Sequence, residues 1–386
     1  MSDQRRSGIT DGAARVKGRK GNRRDHAMKS LVKIKADVLR VFISELFQRL
    51  GVPKDDAGVA ADVLVRADLR GVESHGVNNL WQYVDPLRAG KLNITPKITV
   101  VRESPVMALV DGDGGMGLVV GVKAMKICIA KAKNCGLAVV AVRRSKHFGI
   151  ASYYSLMCLA HDMIGVSMTN NCRPGVVPTF GRQPMMSTNP ISVAAPTSHE
   201  PPFCLDFATS VVAMSKVGLA IVKGEKIPFG WALDKEGCPT DNPHKVWDAR
   251  RFLPLGGTRE LGSHKGYGLG AVVDILTGVL AGGVYGNLAQ RNPPADERLR
   301  FSSSHFFAAL RVDYFRPLEE FKAAMDDMLR ALKNSEKAQG HDRIYTHGEI
   351  EFETERKRLQ NGIPYHPALV KRLHELASEF DIPLEV

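Results

Sequence analysis

Two histidines stand where proton chemistry could be done. His147 follows directly on the apolar run Leu137–Val142, within Arg143-Arg144-Ser145-Lys146-His147-Phe148-Gly149. In an α/β sheet, ligands bind beyond the carboxyl ends of strands, so this residue is placed to meet one. Reduction of a carbonyl by hydride needs a proton delivered to the oxygen near neutral pH, a task suited to imidazole. His75 lies in the polar turn Glu73-Ser74-His75-Gly76, with Ser74 available to orient the ring or to hold substrate. The chain has 12 histidines, so each of these two, taken alone, also reads as an ordinary hydrogen-bonded residue.

Two further charged residues fit anion and ribose recognition. Asp206 ends an apolar stretch ahead of Phe207-Ala208-Thr209-Ser210. It would either bind ribose hydroxyls or cap the next helix. Lys265, in Gly262-Ser263-His264-Lys265-Gly266-Tyr267-Gly268, stands at a helix start, where ammonium and helix dipole both favour a phosphate or carboxylate; a solvated loop lysine is the other reading. Gly112-Asp113-Gly114-Gly115-Met116-Gly117 matches the dinucleotide fingerprint G-x-G-x-x-G. The acid expected about 20 residues later is missing, because nothing acidic occurs between Asp113 and Asp162. A Gly-rich turn feeding a helix explains the motif more simply, although Arg143 or Arg144 could read a 2′-phosphate.

Hydrophobic periodicity supplies the elements that must carry these residues. Leu39, Ile43, Leu46 and Leu50 share a face over Ala36–Gly51, and Asp55–Leu69 repeats the pattern with Asp55 as N-cap. Strands are expected at Val106–Val110, Leu137–Val142, Ile164–Met168, Ile191–Ala195 and Phe203–Leu205. Helices are expected at Gly121–Asn134, Ala151–His161, Val211–Val222 and Gly266–Leu280. Residues 334–386 read as helical around a loop at Ile344–Glu349, packing back on the N-terminal helices. Alternating strands and helices indicate an α/β core.

The six cysteines form no C-x-x-C pair, which argues against zinc and disulfides; no metal is expected, and a reducing cytoplasm is. No apolar stretch approaches a membrane span or secretory core. The net charge of +12 is concentrated at one end: residues 1–35 hold eleven Lys or Arg against three Asp. That polar, Gly-rich arm is expected to be disordered. It is the one segment suited to nucleic acid or an acidic surface through counterion release, and an incidental extension is the plainer reading.

Taken together, RADLRGVESHGV (66–77), DGDGGMG (111–117), AVRRSKHFGIASYY (141–154), STNPISVAAP (187–196), LDFATS (205–210), GWALDKEGCPTDNP (230–243) and LGSHKGYGL (261–269) run colinearly. On these segments the chain resembles the type 2 malate/L-lactate dehydrogenase family, distinct from the Rossmann-type enzymes. The resemblance implies an NAD- or NADP-dependent homodimer acting on a small 2-hydroxy or 2-oxo acid, with a cyclic imino acid as the alternative substrate. It implies a non-Rossmann NAD(P)-binding α/β domain with a mixed sheet (106–310). A helical domain is implied beside it, built from residues 36–105 and a C-terminal segment, 311–386. By the same resemblance, His75, His147 and Ser74 are catalytic candidates, with no choice between the histidines. Asn171, Thr188, Asn189, Pro190, Asp206, Phe207, Ala208, Lys265, Gly348 and Glu349 are cofactor candidates, and Arg70, Ser74 and Tyr83 substrate candidates. One departure stands out. Many members carry an arginine shortly after S-H-G, suited to a carboxylate. This chain reads Val77-Asn78-Asn79-Leu80-Trp81-Gln82-Tyr83 there. Either Arg70, Arg173 or Arg182 takes the carboxylate, or the substrate differs.

Overall fold

The computed structural model describes residues 31–296, 299 and 301–385. The first thirty residues of the basic arm therefore lie outside the described residues, and with them the nucleic-acid reading. The expectation of disorder fails for the described end of the arm. Val32–Ile34 forms β1, which pairs antiparallel with β11 (Ile363–Tyr365), and Ile34 is buried. The arm's average composition hid an apolar pair, Val32 and Ile34, that a strand can bury.

The N-terminal helices form where periodicity places them, at Ala36–Arg49 and Lys54–Leu69. Asp55 is not the cap. Pro53 takes that position, and Asp55 and Asp56 occupy the first turn, where carboxylates favour the helix dipole. The second half of Lys54–Leu69 is buried on most sides because it is sandwiched. It packs on Ala36–Arg49, on the helix Gly117–Cys135 and on Glu349–Asn361. Pro367–Phe380 closes the layer against Ala36–Arg49. The helix Leu318–Asn334 goes elsewhere: buried Asp326 accepts the backbone N–H groups of Ser198, His199 and Glu200 beyond the sheet.

The central layer is a seven-stranded mixed sheet in the order β2-β3-β4-β10-β5-β6-β7. Its strands are β2 (Thr99–Glu103), β3 (Met107–Asp111), β4 (Leu137–Ser145), β5 (Met163–Thr169), β6 (Ile191–Ala195), β7 (Phe203–Phe207) and β10 (Ser303–Arg311). Only β3 and β4 are parallel, joined by the crossover helix Gly117–Cys135. β10 lies between β4 and β5, antiparallel to both. A smaller lobe gathers around Val176, Val217, Val246 and Phe252, with β8 (Ala232–Leu233) and β9 (Arg251–Phe252) at its centre.

Several elements differ at their ends from the periodicity. Val211–Val222 shortens to Met214–Lys223, and Ala151–His161 ends its α-helix at Met157. Gly266–Leu280 becomes the helix Ser263–Asp274 followed by a π-turn at Ile275–Val279. One strand end matters most. β7 runs on to Phe207, so Asp206 sits within a strand.

Candidate functional site

His147 lies just past the end of β4 and His75 in the 3₁₀ turn Glu73–His75 that follows the helix Lys54–Leu69. The fold brings them face to face, with rings stacked at a centroid distance of 5.5 Å. Both are walled by protein yet keep partial access to solvent. Burial lowers the pKa of His75. His147 is pushed down to about 3 by burial first, then by His75, His305 and Arg173. Both rings are therefore neutral at pH 7.

The partners of His147 fix its tautomer. Nδ1 lies 2.7 Å from the Tyr83 hydroxyl and 3.3 Å from the backbone N of Gly149. A backbone N–H only donates, so Nδ1 is an acceptor and the ring carries its proton on Nε2. Gly149 reaches this position at φ 79°, in the left-handed region glycine tolerates. Tyr83 is buried on the helix Trp81–Arg88, and its hydroxyl is the pivot. As donor it leaves Nε2–H facing outward. Rotated to accept from Nδ1–H, it would leave Nε2 a base. Ser74 Oγ lies 2.9 Å from His75 Nδ1 and holds that ring in turn.

The turn bearing His75 rests on buried Asp68. Its Oδ2 accepts from the backbone N of Val77 at 2.8 Å and the Tyr365 hydroxyl at 2.6 Å. Burial raises the Asp68 carboxyl to about 7. A Cβ on Gly76 would fall 2.0 Å from Asp68 Oδ1, so only glycine lets the turn lie so close.

Behind His147, Phe148 stacks on His305 at 4.7 Å, and sequence reasoning found neither β10 nor this histidine. His305 is fully buried, with Nδ1 2.7 Å from Thr169 Oγ1 and Nε2 2.7 Å from Ser145 Oγ. Burial lowers its pKa to about 3. The sign follows from linkage: with the folded pKa below an unfolded value near 6.5, the stabilisation is present above 6.5 and lost as pH falls towards 3. The stability gap between wild type and His305→Gln is therefore expected to narrow by about 1.4 kcal/mol per pH unit below 6.5. Urea denaturation at pH 7 and pH 5 reads this directly, and an unchanged gap would rule out a neutral buried His305.

A cavity of about 350 Å³ opens beside His147. Tyr83, Lys146, Asn171, Arg173 and Phe301 contribute to its wall. Asn171, grouped with the cofactor candidates from the sequence, is thus placed with the cavity. Its Oδ1 accepts the Arg173 backbone N at 2.9 Å, which shapes the loop.

The other candidates fall into two groups. Asp206 accepts the backbone N of Ser152 at 2.7 Å. It does cap a helix, but the preceding one, Ala151–Met157, rather than the next. Its carboxyl remains open to solvent, and surrounding protein raises its pKa against the opposing effects of Ser152 and Arg70. Lys265 is exposed in the first turn of Ser263–Asp274, whose N-terminus at Gly262 has no side-chain cap. Asn189 is fully buried and donates from Nδ2 to the Gly270 carbonyl at 2.8 Å, while Thr188 accepts from Thr209 N–H. The Thr188-Asn189-Pro190 loop, the segment after Asp206 and the Lys265 helix therefore converge.

Elsewhere the side chains are occupied. Arg70 is buried, ion-paired to Glu355 at 3.3 Å and stacked on Phe352 at 4.4 Å, outside the cavity wall. Glu349 is buried and paired with Arg343 at 2.9 Å, and Gly348 packs against Cys204. Arg182 is exposed against Gly237. Arg143 and Arg144 both pair with Asp111, and Arg144 also with Asp113, so two carboxylates offset the basic surroundings that hinted at a 2′-phosphate. The glycine fingerprint is a packing device: Gly117 abuts the Lys146 and His147 carbonyls and Gly115 abuts Pro96.

A profile of the malate/L-lactate dehydrogenase family matches residues 34–374. The malate dehydrogenase of Pyrococcus abyssi is 46% identical over 347 residues, covering 90% of this chain and 94% of the relative. The L-sulfolactate dehydrogenase of Methanocaldococcus jannaschii is 39% identical over 352 residues, covering 91% and 98%. The solved malate dehydrogenase of Entamoeba histolytica superposes with a TM-score of 0.87 at 35% identity, covering 92% of this chain and all of that one. Mixed sheet, histidine pair and adjoining cavity describe an α/β oxidoreductase, and each of these relatives is named a dehydrogenase. The chain belongs to the malate/L-lactate dehydrogenase family.

Proposed function

We propose that the protein interconverts a small 2-hydroxy acid and its 2-oxo acid, with NAD or NADP as hydride partner. The observation that carries this reading is the Tyr83–His147 hydrogen bond beside His75, at the mouth of a cavity with cationic walls. The chemistry a bound nicotinamide would supply is reversible hydride exchange with C2, and Asp206 and Lys265 would hold the dinucleotide. His147 exchanges the hydroxyl proton through Nε2, with the Tyr83 hydroxyl setting which ring nitrogen is free. Ser74 and His75 hold the substrate oxygen and the His147 ring in place. For oxidation the ring must carry its proton on Nδ1, donated to the Tyr83 oxygen, so that a free Nε2 takes the hydroxyl proton as the C2–O bond becomes a carbonyl and C2 gives up its hydride.

The residues present fit a dinucleotide. Asp206 offers an open carboxylate for ribose hydroxyls, flanked by Phe207 and Ala208. Lys265 and the uncapped helix start at Gly262 offer charge and N–H groups to a phosphate. A homodimer belongs to the proposal. Leu269, Val272, Ile275 and Val279 lie exposed along one helical stretch, an apolar stripe suited to a second copy. The six unpaired cysteines support a reducing, cytoplasmic setting, and among the described residues no helix is long and apolar enough to cross a membrane.

The test is a screen of the purified protein with NAD and NADP against 2-hydroxy acids and cyclic imino acids, following NAD(P)H absorbance. Turnover of at least one 2-hydroxy acid is expected. Turnover of imino acids alone would replace the reading with a reductase, for which a solved Δ1-piperideine-2-carboxylate reductase at 25% identity is the precedent.

A further inference from the structure

The turn that carries Ser74 and His75 rests on a carboxylate that takes no part in proton or hydride transfer. Asp68 is fully buried, and one oxygen, Oδ2, takes both donors within reach, the Val77 backbone N–H and the Tyr365 hydroxyl. Among the described residues, Oδ1 has no hydrogen-bond partner. It lies against Gly76, where an added Cβ would fall 2.0 Å away. A buried carboxylate with one oxygen unsatisfied costs folding free energy, so packing alone does not account for it.

The groups that hold Asp68 come from the other end of the chain. From the helix Glu349–Asn361, Arg358 donates to the Asp68 carbonyl and pairs with Glu73, the first residue of the turn. Tyr365 comes from β11. These contacts link residues 285 to 297 positions apart. On the helix that bears Asp68, Arg66 and Arg70 both pair with Glu355, again from Glu349–Asn361. The C-terminal segment thus grips the end of Lys54–Leu69, and Asp68 passes that grip to the turn. Burial raises its carboxyl to about 7 against the hydrogen bonds of Tyr365 and Val77, while Glu73 adds to the rise and Arg358 opposes it. A proton on Oδ2 would displace one of the two donors, and a proton on Oδ1 would be buried without an acceptor. The hydrogen bonds therefore match the ionised form.

Resting on the proposed hydroxy-acid chemistry, we propose that Asp68 is a positioning residue: as the carboxylate, tied to Tyr365 and Arg358, it sets the Ser74–His75 turn against His147. The turn then loosens when Asp68 takes up a proton.

The experiment compares the full-length wild type with Asp68→Asn and Tyr365→Phe. Asp68→Asn is expected to lower kcat/KM for the 2-hydroxy acid by about tenfold or more, since a misplacement near 1 Å costs about 100-fold. Tyr365→Phe leaves the carboxylate and one donor, and should lower it less. Affinity for NADH or NADPH, read by fluorescence, should not change in either. An unchanged kcat/KM in Asp68→Asn overturns the proposal, as does an equal loss of cofactor affinity, which would mean general damage.

The pH profile separates positioning from packing. Wild-type kcat/KM should fall as the pH drops through about 7, a limb that His147→Gln keeps and Asp68→Asn lacks. A limb retained in Asp68→Asn overturns the role of the carboxylate. Amide hydrogen exchange needs no turnover: over residues 73–79 it should quicken in Asp68→Asn and stay the same over Gly117–Cys135. Equal exchange of the turn in the two proteins also overturns the proposal. Tyr365→Phe carries the kinetic and exchange readouts if Asp68→Asn does not fold. Failure of the hydroxy-acid reading looks different: no 2-hydroxy acid turns over in wild type, while the turn still loosens in Asp68→Asn.

Discussion

Glutamine in place of His147 is expected to lower kcat by about 10²- to 10⁴-fold, the range over which a positioned acid–base group contributes. Glutamine keeps a polar group near the Tyr83 hydroxyl, so the local packing survives, but it cannot exchange a proton. The KM for cofactor should move far less than kcat, because the residues proposed to hold the dinucleotide lie on β7 and the Ser263–Asp274 helix. Parallel measurement of His75→Gln decides between the rings: a larger loss there would assign the proton to His75. If both variants kept near-wild-type turnover with every active substrate, the mechanism would be wrong. The pH profile gives an independent check. With the His147 pKa near 3, no loss of kcat/KM from its protonation is expected as pH falls from 7 to 5. A limb at pH 6.5 that vanished in His147→Gln would show a ring titrating freely.

Gly117→Ala is expected to damage both stability and catalysis. The added methyl would sit 2.0 Å from the Lys146 carbonyl oxygen and 2.5 Å from that of His147. Backbone atoms cannot rotate away as a side chain would, so either the helix start or the His147 segment must move. Overpacking of this kind costs about 1–3 kcal/mol, and a misplacement near 1 Å at a catalytic group costs about 100-fold in rate. Urea denaturation and kcat per folded enzyme measure the two effects. Full turnover at reduced stability would mean that the histidine tolerates the shift, and the close approach would then serve packing alone.

These outcomes also show how much the sequence conveyed. The N-terminal helices and the apolar strands β4, β5 and β6 were legible, because their periodicity reports burial directly. His75 and His147 were individually weak candidates and became specific through the colinear motifs around them. The glycine motif was read as a turn feeding a helix because the ribose-side acid was missing; its spacing alone does not decide, since residues that admit a phosphate also admit a neighbouring carbonyl. The role of Asp206 depended on where β7 ends, and its helix partner precedes it in the chain. Arg70 had the right chemistry for a carboxylate, but Glu355, 285 residues away, claims it. β10 went unread: it opens on Ser303-Ser304, continuing a polar serine run typical of a loop, and only its neighbours reveal it as a central strand.

That central strand also bears on how the protein is made. β4 and β5 are synthesised early but do not touch in the sheet; the strand between them is encoded more than a hundred residues later. Until Ser303–Arg311 leaves the ribosome, each presents an unpaired apolar edge, the kind of surface that draws strands from other chains. The bed of His147, built from His305 and Phe307, arrives with the same segment. A nascent chain halted before residue 303 would thus hold every proposed catalytic side chain and still lack a site, making translation of β10 the moment at which enzyme and aggregate part ways.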